Sequence, residues 1–180
     1  MKATGIVRRI DDLGRIVIPK EIRKTLRINE GSPLEIFTDS SGNVIFKKYS
    51  PVREIADIAK IYTDAISLSF SCACIIMDTD RVVAVSGVNK KEFDNKNISE
   101  EFKEFMTINK KIKIDEKIKI VETSNKESEL SVLIISQGDI IGAISLFNIE
   151  KIENLKEQRI LEVFANLIVK QIEWYFFLFF

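Results

Sequence analysis

The tightest constraint on this chain lies in Thr4–Ile28, where branched apolar and basic residues alternate until Asp11-Asp12-Leu13-Gly14 interrupts them and Pro19 stops them. Aspartate bonds its local backbone and glycine supplies a positive φ, so the interruption reads as a turn. Proline fits the first turn of a helix and damages a strand interior, so an extended segment ends there. Ala3–Ile10 is therefore expected to be a strand with Ile6, Arg8 and Ile10 on one face and Val7 and Arg9 on the other, and Arg15–Ile18 a second strand. A helix over Lys20–Leu26 follows, with Ile22 and Leu26 at i and i+4, closed by Asn29-Glu30-Gly31. Leu34–Thr38 and Asn43–Lys48 alternate as two more strands across Asp39-Ser40-Ser41-Gly42. The order is ββαββ, and a unit of about fifty residues buries too little surface to stand alone. It is expected to be an obligate dimer.

Charge divides the chain at the same place. Residues 1–53 hold eleven Lys and Arg against six Asp and Glu, a net of +5, and the remainder holds sixteen against twenty-one, a net of −5. Such asymmetry points to an anionic partner for the basic part. The cations are Arg8, Arg9, Arg15, Lys20, Arg23, Lys24 and Arg27. If hairpin and helix pack together, Arg8, Arg15, Arg23, Lys24 and Arg27 converge on one face, a dimer doubles the set, and phosphate neutralisation supplies affinity for DNA. The competing reading is a solvated face with ion pairs to Asp11, Asp12 and Glu21.

Pro51 marks the boundary, giving domains 1–53 and 54–180 with a linker helix over 52–71. Ile55, Ala59, Tyr62 and Ile66 form one stripe on that helix and Ile58, Ile61, Ala65 and Leu68 another, which suits either one broad buried face or contact with both its own domain and a twin. Strands are expected at Ala73–Met77, Val82–Ser86, Lys117–Glu122, Leu130–Ser136 and Ile140–Phe147, and helices at Ile98–Lys110 and from about Ile152 through Ile172. The order αββαβββα describes an α+β domain with a central antiparallel sheet. Cys72 and Cys74 share one face of a strand and read as buried hydrophobes, since the chain has no His to complete a metal site. No activated nucleophile, P-loop or G-x-G-x-x-G is present, so neither an enzyme nor a cofactor is expected. Arg8, Arg9, Asp11 and Asp12 fall where the apolar part of a signal peptide would lie, and no run of about twenty apolar residues occurs, so a cytoplasmic, nucleoid-associated protein with no membrane partner is expected. The terminal WYFFLFF of 174–180 is too short to span a bilayer and suits a subunit contact, packing beneath the linker helix, or peripheral membrane contact.

The run TGIVRRIDDLGRIVIPKEIRKTLRI, with the following GSPLEIF and VIFKKYSP, resembles the AbrB-type transition-state regulators almost continuously over residues 1–53. Residues 54–180 look more loosely like a GAF domain, through element order, Val85-Ser86-Gly87, and Lys90-Lys91 before Ile98-Ser99-Glu100. The resemblance implies a swapped-hairpin barrel in which two ββαββ units interleave, and a transcription regulator of genes in the developing spore. The family's DNA-contacting arginines fall on Arg8, Arg15 and Arg23, while its fourth position is Lys24 here, which keeps the charge and loses the guanidinium fork. Arg9 joins them as a further cation of the same strand. The implied readout is by shape and charge. The GAF likeness implies a small-molecule pocket of Val85, Ser86, Gly87 and Asn89 with Phe102, Phe105 and Ile134, or else a dimerisation module driving assembly to a tetramer. An antitoxin and a ligand-sensing signalling module are the alternatives.

Overall fold

A computed structural model describes residues 4–26, 28, 30–108, 113–114, 117–148 and 154–179. The chain divides into two compact units, Met1–Tyr49 and Ser50–Phe180.

In the first unit, helix α1 (Lys20–Leu26) and strands β1 (Leu34–Thr38) and β2 (Val44–Lys48) form where the pattern places them. Pro19 begins the helix, its carbonyl accepting from the Arg23 N–H at 2.9 Å. β1 and β2 pair antiparallel, Leu34 opposite Lys48 and Thr38 opposite Val44. The two expected strands before α1 are not paired within the chain: residues 4–10 and 15–18 carry no ladder beyond the turn that joins them. A strand exists only against a neighbour, and the described residues supply none. Apolar side chains stay outside as a result. Val7 is 87% and Val17 70% exposed, and Ile10, Leu13, Leu26, Ile36 and Val44 are exposed as well. No residue of α1 is buried. Arg27 and Asn29, expected at the end of this helix, lie outside the described residues, as does Ala3.

The second unit is built on a five-stranded antiparallel sheet in the order β4-β3-β7-β6-β5, made of β3 (Ala73–Asp78), β4 (Val82–Ser86), β5 (Lys113–Ile114), β6 (Leu130–Ser136) and β7 (Asp139–Phe147). Gln137 and Gly138, with φ of 51° and 90°, join β6 to β7. Positive φ at both central residues is what a tight two-residue hairpin of matching twist requires. Both faces of the sheet are covered. Cys74, Ile76, Val132, Ile134, Ile144 and Leu146 face a core with Val52 and Ile55 of α2 (Pro51–Glu54) and its exit, Ala59 and Ile66 of α3 (Ala56–Phe70), and Leu161 and Ile168 of the closing helix. Ile75, Met77, Val85, Leu133, Ala143 and Phe147 face a second core with Phe93 of α4 (Lys90–Phe93) and Phe102 and Met106 of α5 (Glu100–Ile108).

Several elements differ from the sequence expectation. The helix expected over 52–71 is broken at Ile55, where φ −108° and ψ 29° leave the α region. The strand expected at Lys117–Glu122 is absent; the segment makes only isolated bridges, Lys119 with Glu127 and Ile98 with Val121. Ile120 and Val121 are both buried, so alternation fails there and the segment wraps under the sheet instead of extending it. α4 and β5 were not legible as elements. The closing helix α6 (Asn154–Phe179) carries on through most of the aromatic tail. Its expected start near Ile152, the end of the preceding helix at Lys110, and Phe180 lie outside the described residues.

One buried carboxylate ties the entry of this unit to its sheet. Asp78, 2% exposed, accepts from Ser50 Oγ at 2.8 Å and Arg53 Nε at 2.6 Å on one oxygen, and from the Asp80 and Arg81 N–H groups, each at 2.6 Å, on the other. Cys72 and Cys74 are buried on one core as expected; burial, then Glu129, pushes the Cys72 thiol up to about 11, and burial, then Cys72, raises the Cys74 thiol well above its ordinary value.

Replacing Asp78 by Ala leaves four donors without an acceptor and should lower stability by about 2–4 kcal/mol, read as a lower urea midpoint; an unchanged midpoint contradicts the anchoring role. Neither thiol should react with an aromatic disulfide reagent at pH 8 until the chain is unfolded, and prompt reaction of the native protein would show that the cysteine-bearing core is open.

Candidate nucleic-acid interface

Asp11 builds the turn that carries the first basic residues. Its Oδ1 accepts from the Leu13 N–H at 3.1 Å and the Arg15 N–H at 2.7 Å, and its own N–H donates to the Arg15 carbonyl at 3.0 Å. The Gly14 N–H closes on the Asp11 carbonyl at 3.0 Å, with φ of 75° that a side chain would disfavour. Arg15 also donates from Nε to Asp11 Oδ2 at 2.8 Å. The Arg15 N–H, and next its side chain, hold the Asp11 carboxyl below its ordinary value. Of the ion pairs that a merely solvated face would need, this one forms.

Arg8 and Arg9 precede the turn, and Arg23 and Lys24 sit in the last turn of α1, where the helix carbonyls favour cations. All five residues expected to meet DNA are exposed. Among the described residues, no carboxylate is paired with Arg8, Arg9, Arg23 or Lys24. Four unneutralised cations and one held by a turn aspartate thus share a 49-residue unit with a row of uncovered branched side chains.

The seven residues expected around a small molecule in the second unit do not surround one space. Val85 and Phe102 are buried in the α5-side core with Phe105 packed against it, whereas Ile134 is buried in the α6-side core, across the sheet. Strand alternation explains the error: Ile134 and its neighbour Leu133 point to opposite faces. Asn89 caps α4, its side chain accepting from the Lys91 N–H at 3.2 Å. Ser86 pins β4 to α3, 2.9 Å from Thr63 Oγ1 and 2.6 Å from Asp64 Oδ1. A Cβ on Gly87 would lie 2.3 Å from the Cys72 carbonyl, so glycine allows that packing. Ser86 and Gly87 do edge an open cleft of about 580 Å³, shared with Asp64, Ser67, Leu68, Ser71, Cys72, Ala73 and Asn148.

The family described as "Stage V sporulation protein T C-terminal, transcription factor" matches residues 54–173. Stage V sporulation protein T of Bacillus subtilis (strain 168) is 45% identical over 96% of this chain and 99% of its own. The chain belongs to the stage V sporulation protein T family. It is therefore a transcription regulator, and the family's matched range takes in all of α3 through most of α6, ending before Trp174. The first unit has its own relatives. Transition state regulatory protein AbrB of Bacillus subtilis (strain 168) is 57% identical over 28% of this chain and 52% of its own. A solved structure titled as the N-terminal DNA recognition domain of AbrB from Bacillus subtilis, also 57% identical, covers 28% of this chain and 94% of that one, with a TM-score of 0.26. A bacterial antitoxin family, described as "Antidote-toxin recognition MazE", matches residues 7–54.

From the sequence Asp11 is a turn former and a candidate ion-pair partner, with no particular cation assigned to it. The signal of a larger role lies in the spacing: Asp-x-x-Gly occurs at 11–14, 39–42 and 139–142, and of the three only the first is followed by a cation.

Proposed function

We propose that the chain binds double-stranded DNA through Arg8, Arg9, Arg15, Arg23 and Lys24 of its first unit, and that this unit acts as a swapped-hairpin dimer. The observation that carries the reading is the coincidence of these exposed cations with two segments that carry no ladder and whose apolar side chains stand in water. An open hairpin with uncovered Val7, Ile10 and Val17 asks for a second copy to complete its ladders and core, and two copies bring ten cations to one assembly. The 57% identity of this stretch to a transition state regulatory protein supports the same site. Phosphate contacts supply affinity, the arginines supply base or minor-groove readout, and Lys24 acts as a point charge.

The second unit serves assembly, to a homotetramer. Ile160, Val163, Leu167, Trp174 and Phe177 stand exposed along one side of α6 at spacings of three, four or seven, the repeat by which helices of two copies pack. Control by a small ligand remains assigned to this unit, through the α5-side residues Val85, Phe102 and Phe105 or the cleft at Ser86 and Gly87, since Ile134 and Asn89 are engaged elsewhere. The place of action is the nucleoid in the cytoplasm. The antitoxin match to residues 7–54 gives a second reading, in which the first unit anchors a chain that neutralises a toxin; the folded unit over 50–180, in place of an extended acidic arm, weighs against it.

Anisotropy of a labelled duplex titrated with the full chain should give a log affinity that falls linearly with log salt, by about 0.9 per phosphate contacted. Arg8→Ala and Arg15→Ala should each weaken binding and flatten that slope. Binding equal to wild type at every salt concentration would remove these residues from the site, and a toxin-like protein copurifying with a chain that ignores DNA would favour the second reading.

A further inference from the structure

The turn at Asp11 is built twice in this unit. Asp39 Oδ1 accepts from the Ser41 and Asn43 N–H groups, each at 2.9 Å, as Asp11 Oδ1 accepts from Leu13 and Arg15. The Asp39 N–H donates to the Asn43 carbonyl and the Gly42 N–H to the Asp39 carbonyl, both at 3.1 Å, matching the bonds of Asp11 and Gly14. Asp39 Oδ2 takes the Asn43 Nδ2 at 2.7 Å where Asp11 Oδ2 takes the Arg15 Nε at 2.8 Å. Gly42 and Gly14 share a left-handed backbone, with φ of 79° and 75°.

Comparison of the two turns isolates what arginine adds. A neutral amide at the fifth position closes the same ring of bonds, so the turn needs no cation to form. Arg15 is instead held by Nε alone in the bonds described, which leaves its two amino groups, a planar fork of four N–H donors, as its free recognition edge. Its side chain is 69% exposed. An exposed ion pair adds little stability. Here, however, the carboxylate is already fixed by two backbone N–H bonds, so its effect falls on the orientation of the guanidinium.

We propose that Asp11 is a positioning residue for DNA recognition, holding Arg15 by Nε so that the fork meets the duplex in one preset orientation. The inference rests on the reading of Arg15 as a DNA contact. Asp11 stays charged throughout neutral pH, because the Arg15 bonds keep its carboxyl below the ordinary value. A carboxylate on a DNA-binding face also repels phosphate, so its two effects have opposite signs. Removing the charge should strengthen binding to any duplex, while releasing Arg15 should weaken discrimination among duplexes.

The test uses the full chain, a duplex selected by the wild type from a random pool, and poly(dI-dC) as the unselected duplex. Asp11→Asn keeps the acceptor for the turn amides and loses the ion pair. It should cut the preference for the selected duplex by about threefold to tenfold, the cost of ordering one long side chain on binding. Its affinity for poly(dI-dC) should be equal or higher. Asp39→Asn, the same change at the twin turn, should alter neither. In an Arg15→Ala background Asp11→Asn should cause no further loss of preference. Parallel strengthening on both duplexes by Asp11→Asn would reduce Asp11 to a repulsive charge, and an equal loss from Asp39→Asn would make the effect one of folding; either overturns the positioning role while DNA binding stands. A wild-type chain that selects no duplex overturns the DNA-binding reading beneath it.

Discussion

A segment without a neighbouring strand leaves its N–H and C=O groups to water and its branched side chains uncovered, and most of the behaviour of the first unit follows from that condition in residues 4–10 and 15–18. Within one copy the hairpin holds only its turn: Asp11 and Gly14 close it, and beyond the Asp11–Arg15 pair the two arms are not laddered. The same turn at Asp39 shows what the arrangement becomes when strands are supplied, since β1 and β2 run in register away from it for five pairs. Two turns with the same backbone bonds, one with paired arms and one without, show that the turn alone does not ladder its arms. The cations lie on and beside the unpaired arms, so a complete DNA surface and a complete fold of this unit are expected to arise in one step.

The second unit stands in contrast because its sheet is covered on both faces from within. β3 is buried at every position, and the two cores divide along its alternation, Cys74 and Ile76 to one side and Ile75 and Met77 to the other. Asp78 then fastens α2 to the β3–β4 turn with four donors, and Gly87 lets β4 end against the Cys72 backbone. A unit closed in this way can carry assembly without itself depending on it.

Much of this was legible in the sequence wherever a local rule decided the outcome. Pro19 fixed the start of α1, alternation found β1 and β2, and apolar runs found β3, β4, β6 and β7. The failures occur where a decision was tertiary. Lys117–Glu122 alternates too poorly to ladder because Ile120 and Val121 both point into the core. α4 is only four residues long, shorter than any periodicity can register, and depends on the Asn89 cap. The tail 174–180 was set apart by composition, yet it has no helix breaker and α6 continues through Phe179. The basic residues of the candidate interface were visible as types and spacings. Which of them a carboxylate would hold was not, because the Asp11–Arg15 bond depends on how the turn closes.

Amide hydrogen exchange of the full chain, read residue by residue at native concentration, tests the central condition most directly. If a second copy completes the first unit, amides within 7–10 and 16–18 should exchange at least about a hundredfold more slowly than in an unstructured peptide, although one copy offers them no ladder. Exchange of those amides at unstructured rates, beside a protected β3 and β7, would mean that the arms stay unpaired in solution, and it would contradict an assembled DNA-binding unit.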